Sequence, residues 1–204
     1  MSMHYSRAIL AAALLFGAAA CLRPATSTES VAKARIERGR YLVTIGGCND
    51  CHTPLKMGPK GPEPDMARML SGHPESFPIT DGTATASSKW LMTMAASGTA
   101  FSGPWGVSFA ANLTPDENTG LGIWTEEMFV KAVRTGRHMG VSRPILPPMP
   151  WPNVGAMSDE DLKAVYAYLR SIQPVHNRVP DPLPPASEAV AANHAAQPPS
   201  LSVQ

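Results

Sequence analysis

The stretch Cys48-Asn49-Asp50-Cys51-His52 reads C-x-x-C-H, the pattern of covalent c-type haem attachment. Two thiols three positions apart in one short turn can each form a thioether to a haem vinyl group, and the adjacent His52 imidazole then ligates the iron. Without the histidine the same thiols would suit a redox pair or half a zinc site. A zinc site needs two more ligands, and the remaining cysteine, Cys21, lies in a stretch that reads as an export signal. A thioredoxin-like pair belongs in a βαβ unit, and no such unit is legible. The stretch therefore predicts a chain folded around one covalent haem, with Cys48 and Cys51 as its thioether residues and His52 as an axial iron ligand.

Composition agrees with that reading. The chain has 204 residues and a net charge of +1, so no strong field argues for nucleic acid or for a charged membrane face. Twenty-one prolines and 16 glycines beside 16% charged residues predict long loops around a small helical core. A large apolar cofactor would add buried surface that these side chains lack, at about 25 cal/mol per Å².

Residues 1–21 read as a signal peptide: Arg7, an apolar run from Ala8 to Phe16 too short to span a bilayer, then small residues up to Cys21. Two readings of its end stay open. Cys21 is the acylated first residue of a lipoprotein, or cleavage is ordinary and follows Ala20. Residues 22–29 form a tether. From Ser30, taken as the cap, to about Ile45 the spacing of Val31, Ala34, Arg35, Arg38, Gly39 and Leu42 predicts a helix that enters the haem motif. Gly39 inside it costs about 1 kcal/mol relative to Ala, which a close helix crossing would explain. Gly46-Gly47 ends the helix.

From Thr53 to Ala111, six prolines in the first half exclude long helices. Trp90-Leu91-Met92 suggests a short strand or turn, and one of the early prolines is expected to offer its carbonyl to the His52 Nδ1–H. Asn112-Leu113-Thr114-Pro115-Asp116 is turn chemistry. Thr125 caps a helix from Glu126 to Thr135, and Gly136 closes it. The loop 143–152 holds Met149 between Pro148 and Pro150, and such a stiff loop loses little entropy when a sulfur is fixed. Met149 is the leading sixth-ligand candidate; His138 is the main alternative, with Met57, Met139 and His73 as further rivals. Ser158 opens a last helix with Leu162, Val165, Tyr166, Leu169 and Ile172 on its apolar stripe. This helix is expected to cross the first at Gly39. Pro174 ends it, 174–185 is a proline-rich surface extension, and 186–204 reads as a disordered tail.

With both anchors placed, residues 35–180 resemble bacterial class I-type cytochromes c, and more narrowly the single-haem cytochromes and cytochrome subunits that accompany periplasmic dehydrogenases. The resemblance is carried by Gly39-Arg40-Tyr41-Leu42 before the haem motif, Asn112-Leu113-Thr114-Pro115-Asp116 with Thr119-Gly120, Gly122-Ile123-Trp124, Arg134-Thr135-Gly136, Pro148-Met149-Pro150-Trp151, and Ser158-Asp159-Glu160-Asp161-Leu162-Lys163-Ala164 with Tyr168-Leu169. It implies an all-α fold of three to five helices over residues 30–173, wrapped around one haem c with His52 and Met149 as axial ligands. It also implies a dehydrogenase as electron donor and an oxidase or another cytochrome as acceptor. Nucleic acid is not an expected partner, and a membrane only through a lipid on Cys21. The segment from Thr53 to Ala111 departs from the pattern, being long for a minimal cytochrome domain.

Two function classes follow. An electron carrier, exported to the periplasm or the outer face of the cytoplasmic membrane, needs both axial positions filled and no catalytic groups. A haem enzyme or gas sensor would keep a displaceable sixth position, with His138 or Arg143 on its distal side.

Overall fold

The computed structural model describes residues 27–80 and 89–185. The expected signal peptide, most of the tether and the expected disordered tail lie outside the described residues. Among the described residues the chain forms five helices, α1 (Thr28–Ile45), α2 (Cys48–His52), α3 (Glu126–Thr135), α4 (Trp151–Gly155) and α5 (Asp159–Ser171). It also forms two antiparallel sheets, so the all-α expectation is overturned. One sheet is the hairpin β1 (Leu55–Gly58) and β2 (Gly61–Pro64); the other holds β3 (Thr93–Met94), β4 (Ala100–Gly103) and β5 (Gly106–Phe109) in that order.

The physical reason lies in the turns. Proline forbids helix interiors but not the strands of a two-stranded ribbon, where an unpaired edge takes its missing donor. Pro62 and Pro64 sit opposite Met57 and Leu55, and Gly61, at φ 118°, follows the two-residue turn. The second sheet turns at Pro104-Trp105 before Gly106, at φ 93°. Ala100, Phe101, Gly106, Val107 and Ser108 are all buried. Such short strands, covered on both faces, show no alternation to read.

The helical half is closer to expectation. The cap of α1 is Ser27, whose hydroxyl accepts from the Ser30 amide at 3.2 Å, three residues before the expected cap. Only Gly39, Leu42 and Val43 of α1 are buried, so the outer part of the expected stripe faces water. The two long helices cross at Gly39: a Cβ there would overlap the Ala164 carbonyl oxygen and lie 2.6 Å from its carbon and 2.8 Å from Tyr168 Cβ. Arg38 clasps Asp161 beside the crossing at 2.8 and 3.1 Å. Thr125 caps α3 through the Met128 amide and Gly136 ends it at φ 64°. The core gathers Leu42, Val43, Leu121, Phe129, Val133, Leu162, Val165 and Leu169 around fully buried Leu70.

Residues after Pro174 are bound to this core. Asn177 is 3% exposed. Its Oδ1 accepts from Arg68 at 3.2 Å and from the Glu75 amide at 3.0 Å. Its Nδ2 donates to the carbonyls of Ser71 and His73 at 2.7 and 2.8 Å. Leu183 pairs with Val107 of β5. Truncating Asn177 leaves buried carbonyls without donors, each costing about 1–3 kcal/mol. Asn177→Ala should therefore lower stability by about 2–5 kcal/mol in denaturant unfolding of the complete chain. A loss under about 0.5 kcal/mol would show that water replaces the side chain.

Candidate haem site

Gly47, at φ 65°, turns the chain out of α1 into α2, and the haem motif is itself one helical turn. A helix puts residues three apart on neighbouring positions of one face, so Cys48 and Cys51 share a side and His52 follows. Both thiols are free and half-buried, and Cys48 packs on the core. Burial pushes both thiols up, with the Asp50 carboxylate adding to it. A reactive redox pair needs the opposite shift.

His52 is 9% exposed, and its Nδ1–H donates to the Ala111 carbonyl at 2.8 Å. The acceptor is thus not one of the early prolines; the carbonyl of Pro54 takes the Asp65 amide instead. The bond fixes the tautomer and leaves the Nε2 lone pair for a metal. Burial lowers the pKa of the ring, opposed by the Ala111 bond. The backbone around it is held as well: the His52 carbonyl accepts from the Gly72 amide at 2.8 Å. The Thr53 hydroxyl donates to Asn49 at 2.8 Å and accepts from the Leu70 amide at 2.9 Å.

Met149 is half-buried in a loop anchored at three points. The Ile145 amide donates to the Gly136 carbonyl at 2.7 Å. Trp151 opens α4, which the sequence did not disclose, and its indole lies so close on Gly136 that a Cβ there would overlap the ring. The Ser108 hydroxyl of β5 donates to the Pro147 carbonyl at 2.5 Å. Between Ser108 and Ala111 runs one short segment, so the sheet that sequence reading missed joins the Met149 loop to His52.

The rivals are placed differently. Met57 is 80% exposed on the β1–β2 ribbon. His73 is fully buried with both nitrogens engaged, Nε2 on the Phe77 carbonyl at 2.8 Å and Nδ1 on the Thr99 hydroxyl at 3.0 Å, so neither is left for iron. His138 is half-buried with its ring edge-on to Trp124, centroids 5.1 Å apart, and Met139 follows at φ 53°.

This donor set fits a haem. Two neighbouring thiols, a neutral imidazole with a free Nε2 and a thioether in an anchored loop are the groups that a covalent, six-coordinate haem uses. The β4–β5 turn also buries the Trp105 indole N–H without a partner. Among the described residues no cluster of three His, Cys, Asp or Glu is placed to hold a metal ion, so the zinc reading gains no further ligand there.

No family model matches the chain. Curated relatives do. The gluconate 2-dehydrogenase cytochrome c subunit of Pantoea cypripedii is 30% identical over 152 residues, covering 74% of this chain and 26% of that protein. The cytochrome c subunit of the quinone alcohol dehydrogenase of Gluconobacter oxydans (strain 621H) is 30% identical over 161 residues, 77% of this chain and 26% of its own. The fructose dehydrogenase cytochrome subunit of Gluconobacter japonicus is 29% identical over 180 residues, 85% of this chain and 30% of its own. The chain spans between 26% and 30% of the length of these relatives. Over most of its own length, the chain is a homologue of the cytochrome c subunits of bacterial dehydrogenases.

Proposed function

We propose that this chain is an exported c-type cytochrome that passes electrons from a dehydrogenase towards the respiratory chain. It holds one haem through Cys48 and Cys51, with His52 and Met149 as axial ligands. The observation that carries the reading is the buried, tautomer-fixed His52 beside two half-buried free thiols. When bound, haem c supplies one-electron oxidation and reduction at its iron, at a potential raised by a thioether ligand. The residues of the chain do the rest. Cys48 and Cys51 would fix the group covalently, the Ala111 carbonyl keeps Nε2 of His52 unprotonated, and Met149 would supply the second protein ligand. The protein is then a carrier and not an enzyme.

Export follows from covalent attachment, which bacteria carry out outside the cytoplasm, with residues 1–21 as the signal, 22–29 as the tether and 30–173 as the haem-binding domain. No helix among the described residues is long and apolar enough to cross a membrane. A lipid on Cys21 is the contact with the membrane in one reading, and mass spectrometry of the mature N-terminus distinguishes it from plain cleavage after Ala20.

The test is direct. Denatured, acetone-extracted protein should keep its haem, and Cys48→Ser with Cys51→Ser should lose more than about nine-tenths of it, since neither thioether can form. Haem that extracts freely from the wild type would refute covalent attachment. In the native protein, spectra of the reduced form with and without carbon monoxide separate a closed carrier from the enzyme or sensor reading, in which the gas binds readily.

A further inference from the structure

The geometry points to Ser108 as a positioning residue for the sixth ligand, an inference that rests on the axial role proposed for Met149. Ser108 lies on β5, opposite Phe101 of β4, and is 7% exposed. Its hydroxyl is 2.5 Å from the Pro147 carbonyl oxygen and 3.4 Å from that of Phe101. A hydroxyl has one hydrogen to give, and the short contact takes it. Pro147 is two residues before Met149.

The composition of the loop makes this bond count. Pro147, Pro148 and Pro150 have no N–H, so between Ile145 and Trp151 the backbone can donate only at Leu146 and Met149. The ends of the loop are tied to Gly136, by the Ile145 amide on one side and the Trp151 ring on the other. Its middle is tied by the Ser108 hydroxyl. Three residues further along the chain, the Ala111 carbonyl holds His52. The supports of both proposed axial side chains therefore belong to one segment, and a shift of that strand moves them together. Without the Ser108 bond the loop should leave the iron more often, while His52 and the two cysteines are untouched.

The experiment uses the full, haem-loaded chain as wild type, Ser108→Ala, Ser108→Thr and Ser102→Ala. Ser102 is on the same sheet with its hydroxyl buried and unpartnered, so it controls for hydroxyl loss alone. Imidazole titrated into the ferric protein binds only where the thioether has left. Its apparent dissociation constant is therefore the intrinsic one divided by the open fraction. Loss of one neutral hydrogen bond should tighten imidazole binding roughly 2- to 10-fold in Ser108→Ala. Ser108→Thr should restore the wild-type value, Ser102→Ala should not move it, and haem content should be equal in all four. Equal imidazole affinity in wild type and Ser108→Ala, or an equal shift in Ser102→Ala, overturns the assignment. Hydrogen exchange across residues 145–151 reads the clamp independently of the iron. Faster exchange in Ser108→Ala combined with a wild-type iron that lacks sulfur ligation would keep the clamp but remove Met149 as ligand, and the positioning role falls with it. Unchanged exchange removes the clamp while the axial reading of Met149 stands.

Discussion

Gly39→Val is expected to cost at least about 3 kcal/mol of stability and to reduce the haem-loaded yield with it. A Cβ at residue 39 has no space to occupy. At the crossing of α1 and α5 it overlaps the Ala164 carbonyl oxygen and lies 2.6 Å from the carbonyl carbon and 2.8 Å from Tyr168 Cβ. Two of these are backbone atoms, which cannot rotate aside as the end of a side chain can. Overpacking a fitted core costs about 1–3 kcal/mol, and more where nothing can yield. Separating the helices would also pull Leu42 and Val43 away from Leu162 and Val165, which share one core, and would open the Arg38–Asp161 pair. That exposed pair adds little by itself. Gly39→Ala is the informative companion. In an exposed helix interior it would stabilise by about 1 kcal/mol, whereas here its Cβ already collides. Denaturant unfolding of the loaded protein measures both, and an alanine variant as stable as the wild type would show that the helices do not meet at this residue.

The crossing was legible in the sequence because a glycine inside a helix is locally unfavourable and invites a reason. The same holds for α3 and α5, whose ends are written in Thr125, Gly136 and Ser158 and whose buried faces repeat at the helical period. The fold class was not legible. Six prolines between Pro54 and Pro78 exclude helix without saying what replaces it. The strands β4 and β5 are four residues each and buried on both sides, so neither length nor alternation marks them. A different limit hid the partner of His52. Its imidazole finds Ala111, 59 residues away, and local chemistry cannot single out one carbonyl at that separation. Proximity in sequence suggested a proline after the motif; the sheet decided otherwise. The Cys48–His52 spacing is local chemistry and could be read at once. What the missed sheet does for that motif, joining it through Ala111 and Ser108 to the Met149 loop, belongs to tertiary structure.

Met149→Ala should have the largest functional effect. If Met149 is the sixth ligand, the ferric wild type shows a weak long-wavelength sulfur-to-iron band and the reduced form binds carbon monoxide poorly. The alanine variant then loses the band and lowers the potential, because a thioether favours ferrous iron. It should also bind carbon monoxide at least about tenfold more tightly, the factor given by removing as little as about 1.4 kcal/mol of competition. Stability should suffer less than function. Met149 is only half-buried, and its loop keeps the anchors at Gly136, Trp151 and Ser108. Met139→Leu should leave all of these readouts unchanged, since a branched hydrocarbon of similar size replaces a sulfur that ligates nothing. His138→Ala is the decisive comparison. Its ring packs edge-on to Trp124, and burial and then the neighbouring Arg143 charge lower its pKa against the Asp181 carboxylate, favouring the neutral form that could also bind iron. If His138→Ala opens the iron to carbon monoxide while Met149→Ala does not, the sixth ligand is the imidazole. In that case the potential should sit lower in the wild type, and the Pro148-Met149-Pro150 loop packs against the site without supplying a ligand.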